Sequence, residues 1–239
     1  MPRTKLTRHQ LKEQDEITTS LQTFTELLVA RKKEITTGVI ALAVLVIAIF
    51  GWSYYSSRRN AAAQVQLSKA ISIYNDTINI KSDKERYEKT IAEAQKTLDQ
   101  YSSTTAASIA RYYMALSQEG LGDTQKATQG LQETAQQADP DVRAVAQFAL
   151  GEIYKKHGET QKAIDTYKQL FDSGGYSASA VAFELAQLYE QNKQVDQAKE
   201  FYQKLVSDYP DSPFRPNADE ALKRLGVVPP PPAATQKPS

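Results

Sequence analysis

The chain of 239 residues contains no cysteine. A disulfide, a thiolate nucleophile and a cysteine-ligated zinc site are therefore excluded, and the absence fits an oxidising compartment. Histidine is scarce too, with only His9 and His157 present. They lie on opposite sides of a long apolar run, so they are not expected to form a site together. His157 precedes Gly158 at the end of an expected helix, where a cation suits the helix dipole. There is no phosphate-binding loop, no Gly-rich nucleotide turn, no His-Glu metal pair and no Gly-x-Ser-x-Gly elbow. An excess of one charge sign is also missing. Lys plus Arg number 29 and Asp plus Glu 28, which argues against a general nucleic-acid binder. The chain is expected to be no enzyme and to hold no cofactor or metal.

What is present is one uncharged run. Residues 35–57, between Glu34 and Arg58, contain no Asp, Glu, Lys, Arg or His, and VIALAVLVIAIFGW forms their centre. As a helix, Ile35 to Tyr55 at about 1.5 Å per residue spans about 30 Å, the hydrocarbon thickness of a bilayer. The run is apolar all round rather than on one face. Trp52, Tyr54 and Tyr55 sit at its far end, where an interfacial aromatic belt belongs. It follows 34 residues and is longer than the 7–15 apolar residues of a signal peptide. An uncleaved transmembrane anchor at 35–55 is expected, touching lipid along its length. Seven Lys and Arg precede it (Arg3, Lys5, Arg8, Lys12, Arg31, Lys32 and Lys33), against Arg58 and Arg59 just after. The positive-inside rule then places the N-terminus in the cytoplasm and residues 56–239 outside. Within the segment 1–34, Ile17, Leu21, Phe24 and Leu28 share one helical face, predicting a short amphipathic helix.

The remainder repeats itself. GDTQKATQGLQET (122–134), GETQKAIDTYKQL (158–170) and KQVDQAKEFYQKL (193–205) align on Ala127, Ala163 and Ala198. Thirteen residues upstream stand Met114, Leu150 and Leu185, followed by Ala115, Gly151 and Ala186. Tyr154 and Tyr189 come four residues after Leu150 and Leu185, with Gln118 in the matching place. Antiparallel helices that cross closely need a small residue at the crossing and large apolar ones around it, and such pairs bury their faces by stacking. TIAEAQKTLDQYSS (90–103) aligns as a degenerate earlier unit, whose first helix is expected near 61–80. Units are placed near 61–103, 108–139, 144–175 and 179–210. A cap helix follows at 216–225, stopped by Gly226. The proline-rich segment 227–239 has too few apolar residues to fold.

Leu150-Gly151-x-x-Tyr154 and Ala163-x-x-x-Tyr167, with Pro210 closing the next unit, resemble the tetratricopeptide repeat. The expected fold is all-α: one N-terminal transmembrane helix, then a solenoid of about four helix pairs plus the cap. Such a resemblance implies peptide binding on the face lined by the first helix of each pair. Tyr112, Phe148 and Phe183 fall two residues before the apolar landmarks and are expected to stack as an aromatic stripe. Leu116, Glu152 and Gln187 lie one turn further on. These six are the candidate groove, and the alternative is that the rings pack between helices. Lys, Arg and Asn, which clamp a terminal carboxylate in some tetratricopeptide domains, are absent from these places.

The whole order of segments, over residues 10–226, resembles the YfgM-type ancillary subunit of the SecYEG translocon. That resemblance implies a bacterial inner-membrane protein with its repeats in the periplasm. It also implies a place beside the channel, with secreted clients and a periplasmic chaperone or prolyl isomerase as partners. The alternative is an envelope scaffold for cell division, peptidoglycan synthesis or outer-membrane assembly.

Overall fold

The computed structural model describes residues 31–174 and 176–228, so the expected helix through Ile17 and Leu28, His9 and the segment 229–239 lie outside the described residues. The chain divides into two compact units, up to Arg58 and from Arg59 onward.

The first unit contributes the front of α1 (Lys32–Asn75). Residues 36–55 are exposed at every position. Phe50 and Trp52 are 72% and 73% exposed, so no protein surface covers this run as it would a core helix. α1 is long and apolar enough to cross a membrane. Thr36 and Thr37 donate their hydroxyls to the carbonyls of Lys32 and Lys33, at 2.7 and 2.9 Å, which keeps these polar groups satisfied within the helix. At the far end, Arg58 lies 5.3 Å over the Tyr54 ring and its Nε donates to the Tyr54 hydroxyl at 3.2 Å.

The second unit holds the rest of α1 and eight further helices: α2 (Asp83–Tyr101), α3 (Thr105–Gly120), α4 (Thr124–Gln137), α5 (Pro140–Lys156), α6 (Thr160–Ser173), α7 (Ala178–Gln191), α8 (Val195–Asp208) and α9 (Arg215–Arg224). Among the described residues there are nine helices and no strand. Short connections make consecutive helices neighbours, and each packs on the next from α2 to α9. Helix starts follow local chemistry. The side chains of Ser82, Thr104 and Asp123 accept the backbone N–H groups of Glu85, Ala107 and Lys126. α1 stops at Asn75 rather than near residue 80. There Asp76 takes the Asn79 N–H at 2.9 Å, a local bond that competes with helix continuation.

The repeat register is visible in the burial. Ala115, Ala127, Ala163, Ala186 and Ala198 have no exposed surface. A Cβ on Gly151 would stand 2.7 Å from the Tyr167 ring, so glycine is what lets α6 approach α5 there. The weaker units solve the same problem with threonine. Thr90 and Thr134 are fully buried, yet their hydroxyls donate to the carbonyls of Arg86 and Gly130 at 2.9 and 2.8 Å. Three pairs turn the same way. After α3, α5 and α7 the N–H groups of Asp123, Glu159 and Gln194 return to the carbonyls of Gln118, Tyr154 and Tyr189, at 2.9, 2.8 and 2.8 Å. The turn residue is left-handed: Gly122, Gly158 and, without a glycine, Lys193 at φ 60°. The last helix closes similarly, with Gly226 at φ 78° and Val227 N–H on the Leu222 carbonyl at 2.8 Å.

Candidate protein-binding face

The six candidate residues come from the first helices of three successive pairs: Tyr112 and Leu116 on α3, Phe148 and Glu152 on α5, Phe183 and Gln187 on α7. All six are half-buried. The rings do not stack on one another. Phe148 stacks on Tyr176 at 4.7 Å between centroids and meets Tyr167 edge-on at 5.5 Å. Phe183 stacks on Phe214 at 5.2 Å and tilts against Tyr202 at 6.2 Å. Each of these two rings is thus covered by an aromatic from the loop that follows its helix pair, and all three candidate rings pack against the main core.

Tyr112 differs. The loop after its pair holds only residues 138–139, between α4 and α5, and supplies no ring. Its ring contact is with Tyr113, edge-on at 5.4 Å, and Tyr113 in turn meets Tyr74 at 5.2 Å. Beside it opens a cavity of about 250 Å³ lined by Ile109, Tyr112, Tyr113, Asp141, Val142 and Val145. Burial pushes the Tyr112 phenol up to about 12, so the group is a neutral donor at physiological pH. A second, polar cavity of about 420 Å³ lies between Gln187, Glu190, Gln191, Tyr202 and Arg224. The remaining four candidates, Leu116, Phe148, Glu152 and Phe183, line neither cavity.

Charged links run between neighbouring pairs in one register. Glu119 accepts from Lys156 at 2.7 Å and from Thr124 at 2.9 Å, and lies 3.0 Å from His157 Nε2. Lys155 donates to Glu152 and Glu184 at 2.6 and 2.7 Å. Glu190 accepts from Arg224 at 2.7 Å and from the Tyr202 hydroxyl at 3.0 Å. Burial pushes the Glu119 carboxyl up, but bonds from Lys156, His157 and Thr124 outweigh it and hold the group low. Tyr167 donates to Glu152, and its phenol is raised by burial first and by that bond second. Sequence reasoning missed these links, although Glu119, Lys155 and Glu190 each stand five residues after Met114, Leu150 and Leu185. Among the described residues no three His, Asp or Glu side chains gather as a metal site.

The tetratricopeptide repeat-like domain family matches this chain over residues 32–216. Among solved structures, kinesin light chain tetratricopeptide-like repeats of Podosopora anserina align at 17% identity and TM-score 0.53, covering 70% of this chain and 86% of the other. A variant form of the same repeats aligns at 16% identity and TM-score 0.53, covering 70% and 85%. BtubC from P. vanneervenii aligns at 15% identity and TM-score 0.49, covering 71% and 81%. No curated protein matches the sequence.

Proposed function

Because the chain belongs to the tetratricopeptide repeat-like domain family, we propose that it is a membrane-anchored adaptor that binds segments of other proteins on the first-helix face of its repeats. The observation that carries this reading is the pairing, in one chain, of two features. One is an apolar helix with every residue from 36 to 55 exposed. The other is a repeat array with an apolar cavity between α3 and α5. An uncovered apolar helix of that length is stable in lipid, not in water. An uncovered apolar cleft beside tyrosines is the kind of surface on which partner segments lose water and gain contact. The repeats need no catalytic residue to do this.

In this reading residues 35–55 span the bacterial inner membrane, the N-terminus is cytoplasmic and the repeats stand in the periplasm. The partners are the SecYEG channel, secreted clients and a periplasmic chaperone or prolyl isomerase, as in YfgM-type subunits. The anchor keeps the binding face at high local concentration near emerging chains. A photoreactive residue at Leu45, in native membranes, tests the placement. Capture of a channel subunit is the expected result. Capture of cell-division or wall-synthesis proteins instead replaces the channel with an envelope scaffold.

A further inference from the structure

Repeat symmetry singles out one place. In the two later pairs a ring from the connecting loop covers the aromatic on the first helix: Tyr176 over Phe148 and Phe214 over Phe183. At the equivalent Tyr112 the two-residue loop brings no ring, and an apolar cavity of about 250 Å³ lies open beside it. Two tyrosines and three aliphatic side chains line it, with a single acid, Asp141. Such a lining takes apolar side chains out of water but does not by itself say whose.

The surrounding charge supplies the choice. Asp141, Val145, Phe148 and Glu152 recur on α5 at spacings of four, three and four, so they form one stripe. Its apolar middle has a carboxylate at each end, about 16 Å apart along the helix. Neither end is neutralised. Asp141 is exposed, stands in the first turn of α5 and makes no ion pair among the described residues. The helix dipole favours an acid there but gives it no counter-charge. At the other end, Glu152 and Glu184 share one ammonium, that of Lys155, at 2.6 and 2.7 Å. No second cation pairs with either among the described residues, so the trio keeps one negative charge. Glu119 and Glu190, the other acids on α3, α5 and α7, are matched by Lys156 and Arg224. The unmatched negative charge on these three helices thus flanks the open cleft.

We propose that the cleft between α3 and α5 receives an extended client segment with apolar side chains at its centre and a Lys or Arg on each flank, and that it rejects acidic segments. At about 3.3 Å per extended residue, cations about five residues apart match the two carboxylates. The apolar centre supplies contact on Tyr112 and Val145, and the charges select partner and register. This deepens the proposed function and rests on it. Two fluorescein-labelled peptides test it on the full-length protein in neutral detergent micelles, read by anisotropy. Both carry leucine and phenylalanine at the centre. One has a lysine on each flank, about five residues apart, and the other a glutamate at the same places. At low salt the lysine peptide should bind at least about ten-fold more tightly, and Asp141→Asn should cut that ratio at least about three-fold. Equal binding of the two peptides overturns the proposal. So does a ratio that Asp141→Asn leaves unchanged, and so does binding of neither. Where the peptides fail, a photoreactive residue at Val145 in native membranes separates this failure from that of the adaptor reading. Capture of identified secreted chains or channel subunits there leaves the adaptor standing, and capture of nothing sinks both.

Discussion

The fully buried part of the core under α1, α2 and α3 is Ala63, Leu67, Ala70, Ala94, Ala106 and Ala110, five alanines and one leucine, with Ile71, Tyr101, Ile109 and Met114 packed half-buried against it. The core running on from α3 to α9 also has alanines at its crossings, but adds Leu131, Leu150, Tyr167, Leu170, Leu185, Tyr202, Leu205 and Leu222 as buried large residues. Alanine seams bring helices close but remove little apolar surface from water per residue, at about 25 cal/mol per Å². Leucine and tyrosine remove far more. In a stacked array each pair leans mainly on its neighbours, so stability is local. Phe148 and Phe183 are covered by loop rings, whereas Tyr112, at the N-terminal edge of the same core, lies beside an open cleft.

The largest effects come from the cores. Leu185→Ala should cost about 2–5 kcal/mol, since the side chain is fully buried among large neighbours. Leu67→Ala should cost about 2–3 kcal/mol and split the urea transition, with α1–α3 melting first. A single shared transition for both variants, followed by circular dichroism, contradicts the local picture. Next come the glycines. Gly151→Ala should cost about 1–3 kcal/mol, because the new methyl meets a Tyr167 ring with no exposed surface to swing into. Gly120→Ala places a methyl against the Tyr87 ring, but that tyrosine is only half-buried and can move. Denaturant midpoints should therefore drop clearly more for Gly151→Ala, and equal drops would refute the argument.

A smaller effect is pH-dependent. Glu119 is held below its ordinary value of 4.5 in the folded chain. Its contribution is complete above that value and is lost as pH falls through the lower folded one. Glu119→Gln should flatten the acid side of the stability profile while changing little of its shape at neutral pH; an unchanged acid limb would remove the link. The smallest change is a gain. Lys193 is left-handed where Gly122 and Gly158 serve in the other turns. Lys193→Gly should stabilise by about 0.5–1 kcal/mol after the extra freedom of the unfolded chain is counted, read as a raised midpoint.

The all-helical repeat fold was legible because close helix crossings restrict the residue at Ala127, Gly151, Ala163, Ala186 and Ala198 to something small. The uncharged length of 35–55 was legible for the same kind of reason. What covers Phe148 and Phe183 was not. Tyr176 and Phe214 come from loops of different length, so no fixed spacing ties them to the rings they cover. The links at Glu119, Lys155 and Glu190 keep a fixed spacing, but their charge alternates in sign, and a search for like residues passes over them. The candidate face was located by helix position alone. Which of its members stay available depends on those loops.

The most direct test of the central claim sets two equivalent positions against each other. A photoreactive residue is placed at Tyr112 on α3, beside the open cleft, or at Phe183 on α7, covered by Phe214, in the full-length protein in native membranes. The account predicts capture of identified secreted chains or channel subunits at Tyr112 and little at Phe183. Capture at Phe183 but not Tyr112 would contradict it, and so would capture at neither.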